Sequence, residues 1–149
     1  MMTTTISREI TDKEAAEAAA SIQAAVERFP DLTDFGLGIF DPYRLTPAQR
    51  QEQFRKSRAD MFARRSLEDF ARAKRWLSAQ QKTKNVNSSA GSSYWLKHIA
   101  EEDIGYTTNG IFIAAAVAAG FTIERCCRPD DESPNAFFNI SSKISRGIW

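Results

Sequence analysis

The chain has 149 residues, of which 42% are hydrophobic and 26% charged, with ten Phe and three Trp, a balance that excludes a disordered or fibrous chain and suits one domain with a sizeable core. A formal net charge of +1 excludes a uniformly basic or acidic surface, but the layout is uneven. Residues 1–34 carry seven acids and three bases, residues 35–100 five acids and thirteen bases, and residues 101–149 seven acids and four bases.

Thr11-Asp12-Lys13-Glu14 is a capping box, in which the Thr hydroxyl and the Glu carboxylate satisfy amides at a helix start. Ala15, Ala19, Ile22, Val26 and Phe29 follow at helical spacing, and Pro30 ends the run. Residues 31–45 hold two glycines, a proline and many apolar residues. They read as a loop lying on the core, with a short strand at 35–40. Thr46-Pro47-Ala48-Gln49 starts a second helix, predicted to reach about Arg64. Its apolar face is thin: Phe54, Met61 and Phe62, with Arg58 and Arg65 on the same side. Ser66 restarts the pattern as a cap. Leu67, Phe70, Ala73 and Leu77 form the next stripe, with Glu68 and Arg72 spaced as a surface pair. Residues 81–92 are small, polar and basic. They read as a linker loop or hinge inside a single domain of residues 1–149, between a helical half at 1–80 and a second unit at 93–149.

Ser92 or Ser93 caps a short helix to about Glu102. Leu96, Ile99 and Ala100 are expected inside, and Tyr94, Lys97, His98 and Glu101 share the opposite face. Thr107 or Thr108 caps a last helix, and Gly120 suits the position just past its end. "FTIERCC" and "AFFNI" read as two strands. The expected fold is α+β and mainly helical: four to five helices plus a C-terminal β-hairpin, winged-helix-like in the second half.

In that order of elements, residues 107–121 occupy the place of a recognition helix. Yet no residue from 109 to 123 is charged, and Ile111, Phe112, Ile113 and Val117 stand among alanines. A groove-reading helix needs cations and amides for phosphates and base edges. An all-round apolar helix is interior. The segment is therefore expected to be packed, and partners to be met elsewhere.

His98 is the one histidine. With Tyr94, Glu101 and the distant Asn135 and Asn139 it outlines a possible polar site; a surface His–Glu pair is the plainer expectation. Cys126 and Cys127 are adjacent. On a strand they point to opposite faces, so a mutual bond is disfavoured and a small-hydrophobe role expected. Asp130, Asp131 and Glu132 lack the spacing and glycine of a calcium loop. No metal or cofactor is expected. No apolar run approaches the roughly 20 residues of a membrane span, and no secretion signal is visible, so a cytoplasmic location without membrane contact is expected. The basic stretch weighs more. From Arg50 to Lys84 there are eleven bases against four acids, with Trp76 beside Lys74 and Arg75. Cations near an aromatic suit nucleic-acid backbones and single strands. Arg72, Lys74, Arg75, Lys82, Lys84 and Lys97 are the candidate nucleic-acid contacts.

"SYWLKHIAE", "GYTTNGIFIAAAVAAGF" and "SPNAFFNIS" resemble phrases in short, uncharacterised proteins of phages, prophages and related bacterial mobile elements. The resemblance spans Leu67 to Ser141, about half the chain. It implies a setting of small DNA-binding regulators and of inhibitors of host defence, anti-CRISPR proteins among them. The expected function is non-enzymatic binding of DNA or RNA through a basic helical face. The alternatives are a protein-binding inhibitor or adaptor aimed at a host or phage protein, and an enzyme centred on His98.

Overall fold

In the computed structural model, which describes residues 9–126 and 133–146, the Thr11 capping box forms as the sequence predicts. Thr11 Oγ1 accepts from the Glu14 amide at 3.0 Å, and a Glu14 carboxylate oxygen accepts from the Thr11 amide at 2.9 Å. Helix α1 then runs Asp12–Arg28 and buries Ala15, Ala18, Ile22, Ala25 and Val26. Of residues 31–45, expected to lie on the core, only Leu32, Thr33, Gly36 and Leu37 are buried, and Phe40 and Tyr43 are exposed. The strands of this segment are shorter and earlier than expected: β1 (Leu32–Thr33) pairs antiparallel with β2 (Gly36–Leu37).

Helix α2 (Pro47–Asp60) has the predicted Thr46 cap, reciprocated by Gln49, and buries none of its residues. It ends four residues early, because Met61 turns into the core and is fully buried. Helix α3 (Arg64–Ser78) starts after Ala63, with no side-chain cap. Ser66 is thus inside the helix, and its hydroxyl donates back to the Asp60 carbonyl at 2.7 Å. That bond draws Ser66 away from the capping role its residue type suggests. The predicted stripe of Leu67, Phe70, Ala73 and Leu77 is buried, joined by Trp76.

Residues 81–92, expected as a linker loop or hinge, form a loop that is tied down along its length. Lys82 bridges Ile140, the Thr83 amide donates to the Asn139 carbonyl at 2.8 Å, and the Ser141 amide donates to the Gln81 carbonyl at 2.8 Å. Asn87 Nδ2 donates to the Ile140 carbonyl at 2.9 Å. A polar, glycine-poor segment satisfies its backbone here by pairing with a neighbour rather than with water.

Helix α4 (Ser93–Ile104) precedes α5 (Asn109–Ala118). Thr108 is the cap of α5, its Oγ1 accepting from the Ile111 amide at 3.2 Å. Every residue from Asn109 to Ala116 is buried. Helices α1, α3 and α4 surround α5, so the apolar run is the centre of the molecule. A groove-reading role for it is foreclosed by burial, as its lack of a polar face predicts. Gly120, at φ +89°, closes the helix. Its amide donates to the Val117 carbonyl and the Phe121 amide to the Ala116 carbonyl, both at 3.0 Å. This is the paired stop of a Schellman motif, which needs a left-handed residue at the glycine position. Phe121 then packs on Phe138, and Phe138 on Phe112, with ring centroids 6.3 and 6.0 Å apart.

Strand β3 (Ile123–Arg125) pairs antiparallel with β4 (Ala136–Phe138), in the register Ile123↔Phe138 and Arg125↔Ala136. The fold is α+β and mainly helical, with five α-helices and two small hairpins among the described residues. Among the described residues, no helix is long and apolar enough to cross a membrane.

The cysteine expectation needs correction. Strand β3 stops at Arg125, so the opposed-faces argument does not reach Cys126, which is buried and disulfide-bonded. Cys127 and the acidic run Asp130, Asp131 and Glu132 lie outside the described residues.

Candidate ligand-binding cleft

The N-terminal ends of α4 and α5 meet the β1–β2 turn, and one close approach makes the meeting possible. A Cβ on Gly110 would overlap the Thr33 carbonyl oxygen and crowd the Asp34 backbone. Glycine removes that obstacle, and the Gly110 amide donates to the Asp34 carbonyl at 3.1 Å. The turn is held from the other side by α2. The Asp34 amide donates to the Ser57 carbonyl at 3.2 Å, and Arg58 donates to the carbonyls of Leu32 (2.8 Å) and Pro30 (2.5 Å).

Asn109 knits these pieces to the start of β4. Its Nδ2 reaches the carbonyls of Phe35 and Pro134 at 3.2 Å and Asn135 Oδ1 at 3.0 Å. Its Oδ1 accepts from Ser93 Oγ at 2.8 Å, and that oxygen accepts from the Ala136 amide at 3.0 Å. Asn109 and Ser93 are buried, and leaving either group unmade would cost about 1–3 kcal/mol. Ser93 is thus spent on this network; the residue in the cap position of α4 is Ser92, which makes no side-chain cap bond.

The result is a cleft of about 660 Å³, within the usual range for small-molecule sites. Its walls are aromatic: Phe35, Phe40, Tyr94 and Tyr106. Phe40, Tyr94 and Tyr106 are each more than half exposed, and Phe35 and Phe40 pack tilted at 5.5 Å. The polar lining comes from Asp34, Gln53, Lys97, His98, Asn109 and Asn135.

Lys97 is the surprise among the polar residues. It is only 4% exposed. Its ammonium donates to Glu101 Oε2 at 3.0 Å and lies 5.1 and 5.2 Å from the rings of Tyr94 and Tyr106. Glu101 also accepts from the Thr107 amide at 3.1 Å, and its Oε1 lies 3.0 Å from His98 Nδ1. The His98 ring meets Tyr94 edge-on at 4.5 Å. Buried charges persist when paired and hydrogen-bonded; here the pairing is complete.

Asp34 differs. Its Oδ1 accepts from Thr108 Oγ1 at 2.8 Å, and among the described residues no hydrogen bond to its Oδ2 is present. Burial raises its carboxyl above the ordinary value, against the lowering pull of the Thr108 bond, and Asp60 and Asp69 push the same way as burial. Asp69, too, is raised by burial, opposed by Arg72 and Arg65.

The candidate polar site is therefore brought together in large part. Tyr94, His98 and Asn135 line the cleft and Glu101 supports it, whereas Asn139 does not take part. Its side chain accepts from the Thr122 amide (2.7 Å) and donates to the Thr83 carbonyl (3.0 Å), fastening the second hairpin.

The basic face is divided. Arg72 is ion-paired to Asp69 rather than Glu68, and its Nε donates to the Ile104 carbonyl at 3.0 Å. Lys97 is inside the cleft wall. Trp76 is fully buried, with Nε1 donating to Asp103 at 2.8 Å, so it offers no stacking surface. Two candidate contacts and the aromatic platform are thus spent internally: Arg72 and Lys97 each have a carboxylate one helical turn away, and the Trp76 indole reaches Asp103 across the fold. Lys74, Arg75, Lys82 and Lys84 remain exposed.

Sequence reasoning missed Asp34, Phe35, Phe40, Tyr106 and Asn109 as site residues. The signal available was the apolar loop at 31–45, too rich in aromatics for a simple connection. Comparison of the chain with protein-family models, curated proteins and solved structures gives no match in any of the three. Among the described residues, no group of three or more His, Cys, Asp or Glu is arranged to hold a metal ion.

Proposed function

We propose that this is a binding protein, without chemistry of its own, whose working site is the aromatic cleft between α4, α5 and the β1–β2 turn. One observation carries the reading: side chains from five separate stretches of chain converge on a single concavity, in which Phe40, Tyr94 and Tyr106 stay more than half exposed. Preformed concave sites with aromatic walls and few, well-placed polar groups are how proteins hold small ligands or a partner's side chain. A screen of small aromatic fragments followed by amide NMR tests it. Binding is expected to shift the amides of Asp34, Tyr94, His98, Asn109 and Asn135 together; a screen whose shifts all fall elsewhere would overturn the reading.

Contact with DNA or RNA is a second reading. It is favoured by Lys74, Arg75, Lys82 and Lys84, which stand exposed and outside every salt bridge among the described residues. Four phosphate contacts predict a plot of log affinity against log salt with a slope of about −3 to −4. A gel-shift titration with a slope near zero, or with no shift at low salt, would end it.

A further inference from the structure

Besides the tyrosines, three ionisable side chains among the described residues line the cleft, and they are not in the same condition. Lys97 is closed off: its charge is met by Glu101 at 3.0 Å and screened by two tyrosine rings. His98 has Glu101 at its Nδ1. Asp34 is held rigidly by its backbone at both ends, to Ser57 and to Gly110, yet among the described residues its carboxylate has a single donor, Thr108 Oγ1. Lys56, the cation that acts on it, is 3.6 Å from Asp60. With Lys97 and Glu101 cancelling, the cleft keeps about one net negative charge, set beside Phe35 and Phe40.

We propose that the cleft selects an organic cation, a guanidinium, amidinium or ammonium group on a flat or apolar body, with Asp34 as its counter-ion. The inference rests on the cleft being the binding site. A carboxylate with an open acceptor position takes an N–H donor, and a charged donor makes the stronger bond. Aromatic faces attract cations through their quadrupoles, so Phe35 and Phe40, beside Asp34, add to the same preference, while Tyr94 and Tyr106 already hold the Lys97 ammonium. An anion meets the opposite: repulsion from Asp34, with Lys97 already engaged. Burial holds the Asp34 carboxyl above its ordinary range, the mark of a charge short of solvation that an incoming cation would relieve. The cation has two possible sources, a free small molecule or the arginine side chain of a partner protein.

Calorimetry and amide NMR on the full chain decide, at one ionic strength, with benzamidine, its neutral counterpart benzamide, and benzoate. Benzamidine is expected to bind about tenfold more tightly than benzamide, the size of one charge-assisted contact at a partly exposed site, and benzoate more weakly than both. In Asp34→Asn, which keeps an acceptor for Thr108, benzamidine should fall to within about threefold of benzamide. Thermal unfolding of that variant checks that it is folded, and Lys84→Gln, outside the cleft, should leave all three affinities unchanged. A capped Gly-Arg-Gly peptide binding more tightly than benzamidine identifies the partner side chain as the source; the reverse identifies a small molecule. Benzamide matching benzamidine overturns the charge preference while leaving the cleft a binding site. If none of the three probes reaches the cleft, the cation proposal falls, and the fragment screen alone decides the binding reading.

Discussion

The wall of the cleft and the outer face of α3 both carry lysine and arginine, and the fate of those cations is opposite. Lys97 is buried, paired to Glu101 and flanked by two tyrosines. Lys74 and Arg75 stand in solvent. The difference lies in what packs behind each helix. Helix α4 lies against α5 and β4, so a cation one position from its apolar stripe is drawn into a crowded, polar-lined gap. Helix α3 puts its opposite side against the core, and its outer side meets water. The same residue type is a structural part in one place and a mobile surface charge in the other. Composition alone therefore overstates the basic face.

The comparison can be broken most forcefully at the centre both regions share. Phe112→Ala should cost about 3–5 kcal/mol in chemical denaturation, the usual penalty for emptying a packed aromatic site; a loss below 1 kcal/mol would mean that α5 is not the core. Gly110→Ala comes next. Helix propensity by itself would stabilise by about 1 kcal/mol, but overlap with the Thr33 carbonyl should reverse the sign and destabilise by about 3 kcal/mol. A stabilised variant would show that α5 and the β1–β2 turn are not in close contact, and the cleft would open with them.

Lys97→Met separates the two faces directly. It should cost about 2 kcal/mol, below the usual toll for breaking a buried pair, because Glu101 keeps the Thr107 amide and His98. Asp34 supplies a pH test. Its carboxyl is held above the ordinary 3.8 by burial, so the folded protein binds that proton more tightly than the unfolded chain. Its contribution to stability is therefore fully present below pH 3.8 and is lost as pH rises through the raised value. Urea titrations of the parent and Asp34→Asn should diverge in the variant's favour as pH rises through that window; parallel curves would contradict the burial. The smallest effects belong outside: Lys74→Ala and Lys84→Ala should each change stability by under about 0.5 kcal/mol.

Much of the framework was legible in the residues. The capping boxes at Thr11 and Thr46, the Gly120 stop and the buried run from Asn109 to Ala116 follow from local chemistry: a hydroxyl beside free amides, a residue without Cβ at a left-handed turn, a helix with no polar side. The site was legible in part. Tyr94, His98 and Glu101 are one helical turn apart, so the spacing that makes them neighbours is written in the chain. Asp34, Phe40 and Asn109 are distant in sequence, and no periodicity joins them. Asn139 shows the converse, a residue of suitable type that the fold uses to hold the Thr122 amide. Ser66 shows that a capping preference gives way when the preceding turn offers a carbonyl, and Arg72 that spacing allows two carboxylates, Glu68 and Asp69, between which packing chooses.

The sequence by itself determined where α1, α2 and α5 begin, where α5 stops and which helix would be central, because those outcomes depend on groups within a few residues of one another; the end of α2 and the start of α3 were set by Met61 turning into the core. The tertiary structure decided which charges are spent and which side chains share a cavity. Those outcomes depend on the desolvation and pairing that arise when distant segments pack, as Gly110 lets the Thr33–Asp34 backbone do against α5, and no local pattern carries that information.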